Sequence, residues 1–499
     1  MRSPWRTTAA ALTAACALAL TVGCAGVLGD NPAREARQST PDTFTAPTGS
    51  SGPSVATQKQ WDTFFADPDL RALIEQALAN NQQLNIQLQE IIINQNTVAG
   101  IRGEYIPRLD AFVGGGVVKP GEYTSEGVSD RAHGVPAVRP DLRFGFAASW
   151  ETDMAGRLRS ARKAANYRYE ASIQERNFLL TEIIAEIANS YYDLVALDNQ
   201  IEILDRNIEL QKNALEVVKM KKLAARDTEL GVQRFQAEVL KNQGRRFSLD
   251  QQRIVIESRI NFLVGRFPQK VQRNASTFMA ARPEVVATGL PSDLLENRPD
   301  VKAAELRLEA AKFDTRSAKA RFYPSLRLDA GVGYETFNPR HLIDTPQSLA
   351  FNLAGNLMAP LLNRAAIKAD YRSANARQIQ AIFDYERSIL QAYTDVYNQL
   401  NAISNLRQRY EQLAEQVARL KEAIEVAKLL YQSAHVDYYE VLMTVRDSLE
   451  AEMELVEAKK NQMQAVVTIY QALGGGWRQR QSAAPTPAAT TTTTTTTPP

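Results

Sequence analysis

Cysteine and histidine are scarce. The 499 residues hold two cysteines, Cys16 and Cys24, and three histidines, which leaves too little raw material for a metal site or thiol chemistry. No Ser-His-Asp or Cys-His set is present either, so the chain reads as no enzyme, with no cofactor and no metal. Charge of one sign is missing too: 58 basic side chains stand against 56 acidic ones, a net charge of +2, and nothing advertises a nucleic-acid partner. Beyond the N-terminus no apolar run reaches the ~18 residues of a membrane-spanning helix. If this chain crosses a membrane, it does so with strands. Residues 361–473, last, contain neither proline nor glycine.

That uninterrupted stretch organises the rest. Its apolar residues recur at spacings of three and four, through Ile389, Tyr393, Val396, Leu400, Ile403, Leu406, Tyr410, Leu413, Val417, Leu420, Ile424, Ala427 and Tyr431. This is a coiled-coil seam with one slip. After a break at 433–438 the stripe resumes as Leu442, Val445, Leu449, Met453 and Val456, then Met463, Val466, Tyr470 and Leu473. The spacing predicts a helical hairpin whose first arm, at 1.5 Å per residue, is on the order of 100 Å long. Two such helices bury too little alone, so the hairpin is expected to pack against copies of itself, within the chain or between chains. Tyr393 and Tyr410 lie on the seam and are expected in the core.

The chain opens with the charged, apolar and small-residue regions of a secretory signal: Arg2 and Arg6, an apolar run over 9–22, then Gly23-Cys24. Its ending resembles a bacterial lipobox, with Thr21 where leucine is usual, so Cys24 is expected to carry lipid; ordinary cleavage within 17–25 is the alternative. Ala25 after the cysteine would, by the same resemblance, direct the lipoprotein to the outer membrane. A signal peptide over 1–23 is thus followed by a Ser-, Thr-, Pro- and Gly-rich tether over 24–57. Residues 61–88 begin a helical region that ends before Pro107, with Asp67-Pro68-Asp69 suiting a helix start. Leu109, Ala111, Val113, Gly115 and Val117 then alternate with Arg108, Asp110, Phe112, Gly114 and Gly116, a strand pattern with a weaker second face, and Leu142, Phe144, Phe146, Ala148 and Trp150 alternate with small or polar neighbours. Turn-rich sequence over 119–140 separates these two strands. A second long helical pair follows, with a break near 223–230.

Then the pattern starts over. A helix over 294–320 begins at Asn297-Arg298-Pro299-Asp300, with proline in its first turn. Strands follow at Leu326, Leu328, Ala330, Val332 and Tyr334, and at Leu349, Phe351, Leu353, Gly355 and Leu357, before the long hairpin. Tyr105-Ile106-Pro107-Arg108-Leu109 matches Phe322-Tyr323-Pro324-Ser325-Leu326, so the chain reads as an internal duplication with a period of ~210 residues. The first repeat is 58–293, with its β-hairpin near 107–151; the second is 294–477, with its hairpin near 324–358. Residues 478–499, rich in Pro, Ala and Thr, are expected to be disordered.

Four strands of about ten residues, each with one apolar and one small or polar face, suit a transmembrane barrel. Known barrels start at about eight strands, so four per chain demand an oligomer, and three chains give twelve. A soluble four-stranded sheet packed on helices is the alternative. The export signal and the overlong helices favour the barrel. The fold class is α+β, mainly long helical coiled-coil hairpins.

Several stretches match a known family, in order and with its spacing, over 61–477. They are Trp61-Asp62 through Asp67-Pro68, with Leu70 and Asn80-Asn81; Trp150-Glu151-Thr152-Asp153-Met154-Ala155-Gly156-Arg157; and Asn297-Arg298-Pro299-Asp300-Val301 with Ala304-Glu305. Phe322-Tyr323-Pro324-Ser325-Leu326 and Ala472-Leu473-Gly474-Gly475-Gly476-Trp477 complete the set. The chain resembles TolC-like outer-membrane factors, and among them the OprM-type lipoproteins that serve resistance-nodulation-division efflux pumps. The resemblance implies a homotrimer in the outer membrane of a Gram-negative bacterium, with a twelve-stranded barrel and an α-helical periplasmic tunnel. It implies a passive exit duct for small molecules, whose far end is opened by a periplasmic adaptor bound to an inner-membrane pump. A type I protein-secretion duct and a structural lipoprotein with a coiled-coil stalk are the alternatives. By the same resemblance Tyr431 falls on a gate tyrosine and Glu440 on an acidic gate position. Met443 stands where aspartate is usual, so Asp437, Glu440 or Asp447 would supply the acidic ring. The tips implied to meet the adaptor hold Leu223, Ala224, Leu230, Ala434, His435 and Tyr438, with Ala434 in place of a glycine. The nearby basic cluster Lys219, Lys221, Lys222 and Arg226 reads as a wet helix face.

Overall fold

A computed structural model describes residues 33–44, 59–224, 228–281, 287, 289–360, 362, 364–433, 435–436 and 438–478. The expected signal peptide, Cys24, Arg226, Ala434, Asp437 and nearly all of the C-terminal tail lie outside the described residues. In chain order the elements are α1 (Trp61–Phe64), α2 (Pro68–Asn80), α3 (Gln82–Gly103), β1 (Arg108–Val118), α4 (Ser125–Ala132), β2 (Arg139–Thr152), α5 (Arg157–Leu223) and α6 (Glu229–Val264). Then come α7 (Asp293–Asn297), α8 (Pro299–Ala320), β3 (Ser325–Thr336), a 3-10 turn (Pro339–His341), β4 (Leu349–Met358), α9 (Ala365–Gln432) and α10 (Tyr438–Ala472). No described helix is long and apolar enough to cross a membrane.

The long helices follow the predicted seam. Val396, Leu400, Leu413 and Val417 of α9 are buried, and the other seam positions from Ile389 to Tyr431 are buried or half-buried. Tyr393 and Tyr410 correct the expectation, since both are only half-buried. Tyr393 instead stacks on Phe44 at 5.4 Å, which pins part of the segment read as a tether. Arg34, in the same irregular segment, lies 5.1 Å over the Phe383 ring. The α5–α6 pair is tied to α10 by a buried cluster of Leu197, Ile201, Leu204, Ile208, Leu249, Leu449 and Met453.

Two compact units share these helices, one built mainly from Ile91–Ala171 and Ala304–Tyr385, the other mainly from Ser172–Ala303 and Glu386–Pro499. The first unit holds a four-stranded antiparallel meander in the order β1-β2-β3-β4. Helices α3, α5, α8 and α9 join its strands at one end, and the hairpin connections close the other. At the helical end Asp153 starts α5 by accepting the Leu158 and Arg159 amide N–H groups, each at 2.9 Å. Burial works against that charge, yet these amides and the Arg159 guanidinium hold the Asp153 carboxyl below its ordinary range. Turn-rich sequence between β1 and β2 folds, against expectation, into α4, capped by Thr124, whose Oγ1 accepts from Gly127 N at 3.2 Å.

The second unit contains two corners with the same geometry. Gly265 ends α6 at φ +78°, and a Cβ built on it would lie 2.6 Å from the Asn80 carbonyl oxygen. Gly474 follows α10 at φ +79°, where a Cβ would lie 2.4 Å from the Asn297 carbonyl oxygen. Only glycine suits a left-handed turn so close to another backbone. Beside each glycine a buried side chain closes the corner: Asn81 Nδ2 donates to the Leu263 carbonyl at 2.7 Å, and Arg298 Nη1 to the Ala472 carbonyl at 3.1 Å.

Candidate channel wall and helix tips

Alternation within a strand gives each strand two faces, and antiparallel register decides whether neighbours agree. Here they agree across all four strands. Val113 pairs with Phe144, Phe144 with Tyr334 and Tyr334 with Leu349; two positions along, Ala111, Phe146, Val332 and Phe351 line up in the same way. The result is one continuous apolar face from Leu109 to Leu357. On it Phe144 and Tyr334 stack at 5.3 Å, while Val113 is 90% and Phe351 83% exposed. The other face carries Arg108, Asp110, Arg143, Glu151, Arg327, Asp329, Glu335, Asn352 and Asn356 among mostly small residues, with Phe112, Val118 and Met358 as its large apolar members. Its ion pairs repeat: Arg108 holds Asp110 and Arg327 holds Asp329, each at 2.9 Å, from an Arg-Leu-Asp triplet in β1 and again in β3.

A sheet packed on helices would alternate between buried and exposed positions. Strand β4 is exposed at all ten of its positions, so no described helix covers either of its faces. Strands β1 and β4 are the two edges of the sheet, with no further strand beside either among the described residues.

The second candidate region lies at the helix ends. Helix α5 ends at Leu223, and α6 restarts at Glu229 with Thr228 as its cap, its Oγ1 accepting from Gly231 N at 3.2 Å. Helix α9 ends at Gln432 and α10 begins at Tyr438. Lys221, in the last turn of α5, places its Nζ 3.7 Å from the centre of the Tyr431 ring and donates to the Tyr431 hydroxyl. This lysine is therefore more than a wet-face charge, and the two residues lie 210 positions apart. Arg234 of α6 covers the Tyr439 ring of α10 at 4.9 Å. Beneath both contacts Leu215, Val218, Val232, Phe235 and Leu442 form a buried cluster across α5, α6 and α10.

Of the acidic candidates, Glu440 and Asp447 are described and exposed. Glu440 sits in the first turn of α10, where its carbonyl accepts from Thr444 Oγ1 at 2.8 Å, and Asp447 pairs with Arg446 at 3.2 Å. Leu223, Ala224, Leu230 and His435 all face solvent, as do Met220 and Leu429, so the tips carry bare apolar surface. No group of His, Cys, Asp and Glu among the described residues could hold a metal ion.

A family model described as outer membrane efflux protein matches residues 73–266 and 290–475. The chain belongs to the outer membrane efflux protein family. It is 28% identical over 420 residues to the pyoverdine export outer membrane protein OpmQ of Pseudomonas aeruginosa, covering 84% of this chain and 88% of that one. It is 25% identical over 426 residues to the cation efflux system protein CusC of Escherichia coli O6:H1, again covering 84% and 88%. Its fold matches the open state of the MtrE outer membrane channel of Neisseria gonorrhoeae with a TM-score of 0.79 at 25% identity, over 89% of this chain and 97% of that one. This family is one of outer-membrane channels rather than enzymes, and the chain is an outer-membrane efflux protein.

Proposed function

We propose that three copies of this chain close into a passive exit duct for small molecules, the outer-membrane part of a tripartite efflux system. The observation that carries the reading is the sheet: one unbroken apolar face, one charged face and two unpaired edges. Open edges are not tolerated in lipid, whereas three four-stranded sheets joined edge to edge form a closed twelve-stranded barrel with its apolar side outward. The repeated order of elements and the matched corners at Gly265 and Gly474 support an internal duplication. The same threefold symmetry would wrap the long helices into a tunnel whose tips meet a periplasmic adaptor, with the energy supplied by an inner-membrane pump. Bare apolar side chains at Leu223, Leu230 and Leu429 support a docking role there. A lipid on Cys24 would add an anchor to the barrel. Relatives named for pyoverdine and for cations support a duct that selects little by itself.

The test is the mass of the purified protein in detergent together with its conductance in a planar bilayer. A trimer with small, discrete steps is expected, and a monomer without conductance would overturn the reading.

We propose that the contact between Lys221 and Tyr431 latches α5 to α9 near the tip. Lys221→Met removes a cation–π contact and a charged donor, and should raise the open probability of single channels by roughly tenfold. Tyr431→Phe keeps the ring and should raise it less. Unchanged gating in Lys221→Met would sink the latch.

A further inference from the structure

The connection between β1 and β2 is folded rather than slack. Thr124 caps α4, Arg131 of α4 pairs with Glu122 at 3.2 Å, and a Cβ on Gly127 would lie 2.1 Å from the Gly121 carbonyl oxygen, so the helix is drawn tightly onto the chain that leads into it. One residue ties this small domain to the sheet. Arg139, the first residue of β2, donates through Nη1 to Asp130 and through Nη2 to Glu126, which stand one turn apart on α4. Its guanidinium also lies 6.0 Å from the centre of the Phe337 ring, just past the end of β3.

The face on which Arg139 stands decides what this arrangement does. Pro140, Leu142 and Phe144 belong to the apolar face, so Arg139 falls in register with Asp141 and Arg143 on the charged face. Glu126 and Asp130 grip it from that side, at the end of the sheet away from the helices. We infer that α4 is a lid seated over the outer mouth of the duct, and that Arg139 is the positioning residue that holds it on the lumen side. The inference rests on the barrel reading, which makes the charged face the lumen. Two charge-assisted hydrogen bonds from one guanidinium fork fix the angle of α4 as well as its position. Three such lids would set the largest solute able to leave, a selectivity independent of the periplasmic tips.

The test uses whole cells and thiol reagents that cannot cross a membrane. Ala350, the second residue of β4 and on the charged face opposite Gly333, is replaced by cysteine; Phe351, its neighbour on the apolar face, is replaced in a second chain. The parent chain, whose cysteines are Cys16 and Cys24, is the blank. A small charged methanethiosulfonate should label Ala350→Cys and not Phe351→Cys. A bulky maleimide-polyethylene glycol should label Ala350→Cys slowly, and adding Arg139→Met should speed it by on the order of tenfold or more. Reversing the pairs, with Arg139→Glu, Glu126→Lys and Asp130→Lys together, should restore slow labelling and guards against a fold lost in the single variant. If the small reagent fails on Ala350→Cys, the barrel reading falls. If the small reagent labels and the bulky one reacts at the same rate with and without Arg139, the lid falls and the barrel stands.

Discussion

Arg298→Ala is expected to remove about 3–5 kcal/mol of folding stability, the cost of breaking a buried charge network by deleting one partner. Arg298 is only 5% exposed. Its guanidinium donates to Asp300 at 2.7 and 3.0 Å, to Asp395 at 3.1 Å and to the Ala472 carbonyl at 3.1 Å. Burial works against the charge, yet Asp300 and Asp395 hold the group above the usual arginine range. Alanine would take the guanidinium from Asp300 and from the Ala472 carbonyl, and leave Asp395 with Gln391 Nε2 at 2.6 Å, at the corner where α8, α9 and α10 meet. Trp477 donates to the Asn297 carbonyl at 3.2 Å in the same corner, so with Trp61 and Trp150 replaced by phenylalanine its fluorescence reports local unfolding. Denaturation of the detergent-solubilised protein, followed by tryptophan emission, should show a large fall in midpoint. Arg298→Lys keeps the charge without the planar fork and should lose roughly half as much. A change within about 0.5 kcal/mol for Arg298→Ala would place the network among contacts that contribute nothing.

The corresponding corner of the other half explains why such a role is hard to read from sequence. Asn81 occupies the place of Arg298 and reaches the Leu263 carbonyl with an amide, while its Oδ1 accepts from Gln83 N and Leu84 N at 2.9 and 3.1 Å. One corner is closed by a neutral cap and the other by an ion network, although the glycines and backbone paths agree. Periodicity reports which face of an element is apolar, and that made the seam of α9 and the four strands legible. It does not report which polar side chains meet across the fold. Lys221 looked like one of several wet lysines because its partner, Tyr431, is on another helix. Helix α4 was hidden differently: the eight residues Ser125–Ala132 carry hardly any apolar side chains, so no stripe marks them, and the signals present were the Thr124 cap and Glu126 in the first turn. Phe44 and Arg34 carry no such signal either, since the composition of their segment is that of a linker, whereas both rest on aromatic rings of α9.

Adjacent substitutions on β4 should differ more than any other pair in the chain. Phe351 aligns with Val332, Phe146 and Ala111 near the middle of the sheet, on the apolar face. If that face meets lipid, arginine there costs about 2–4 kcal/mol per chain at the bilayer midplane, and a trimer carries the cost three times. Ala350, one residue earlier, faces the other way, beside Gly333 and among the charged rows, where a hydrated arginine meets water and little steric opposition. Phe351→Arg should therefore abolish the proposed trimer in outer-membrane fractions, while Ala350→Arg should leave its amount within about twofold and alter ion preference. Local propensity cannot produce that contrast, since both positions are exposed in the single chain and receive the same side chain. The barrel proposed above produces it by placing a different medium on each side of the sheet. Equal loss in both variants would mean that neither face meets lipid, and loss confined to Ala350→Arg would turn the barrel inside out.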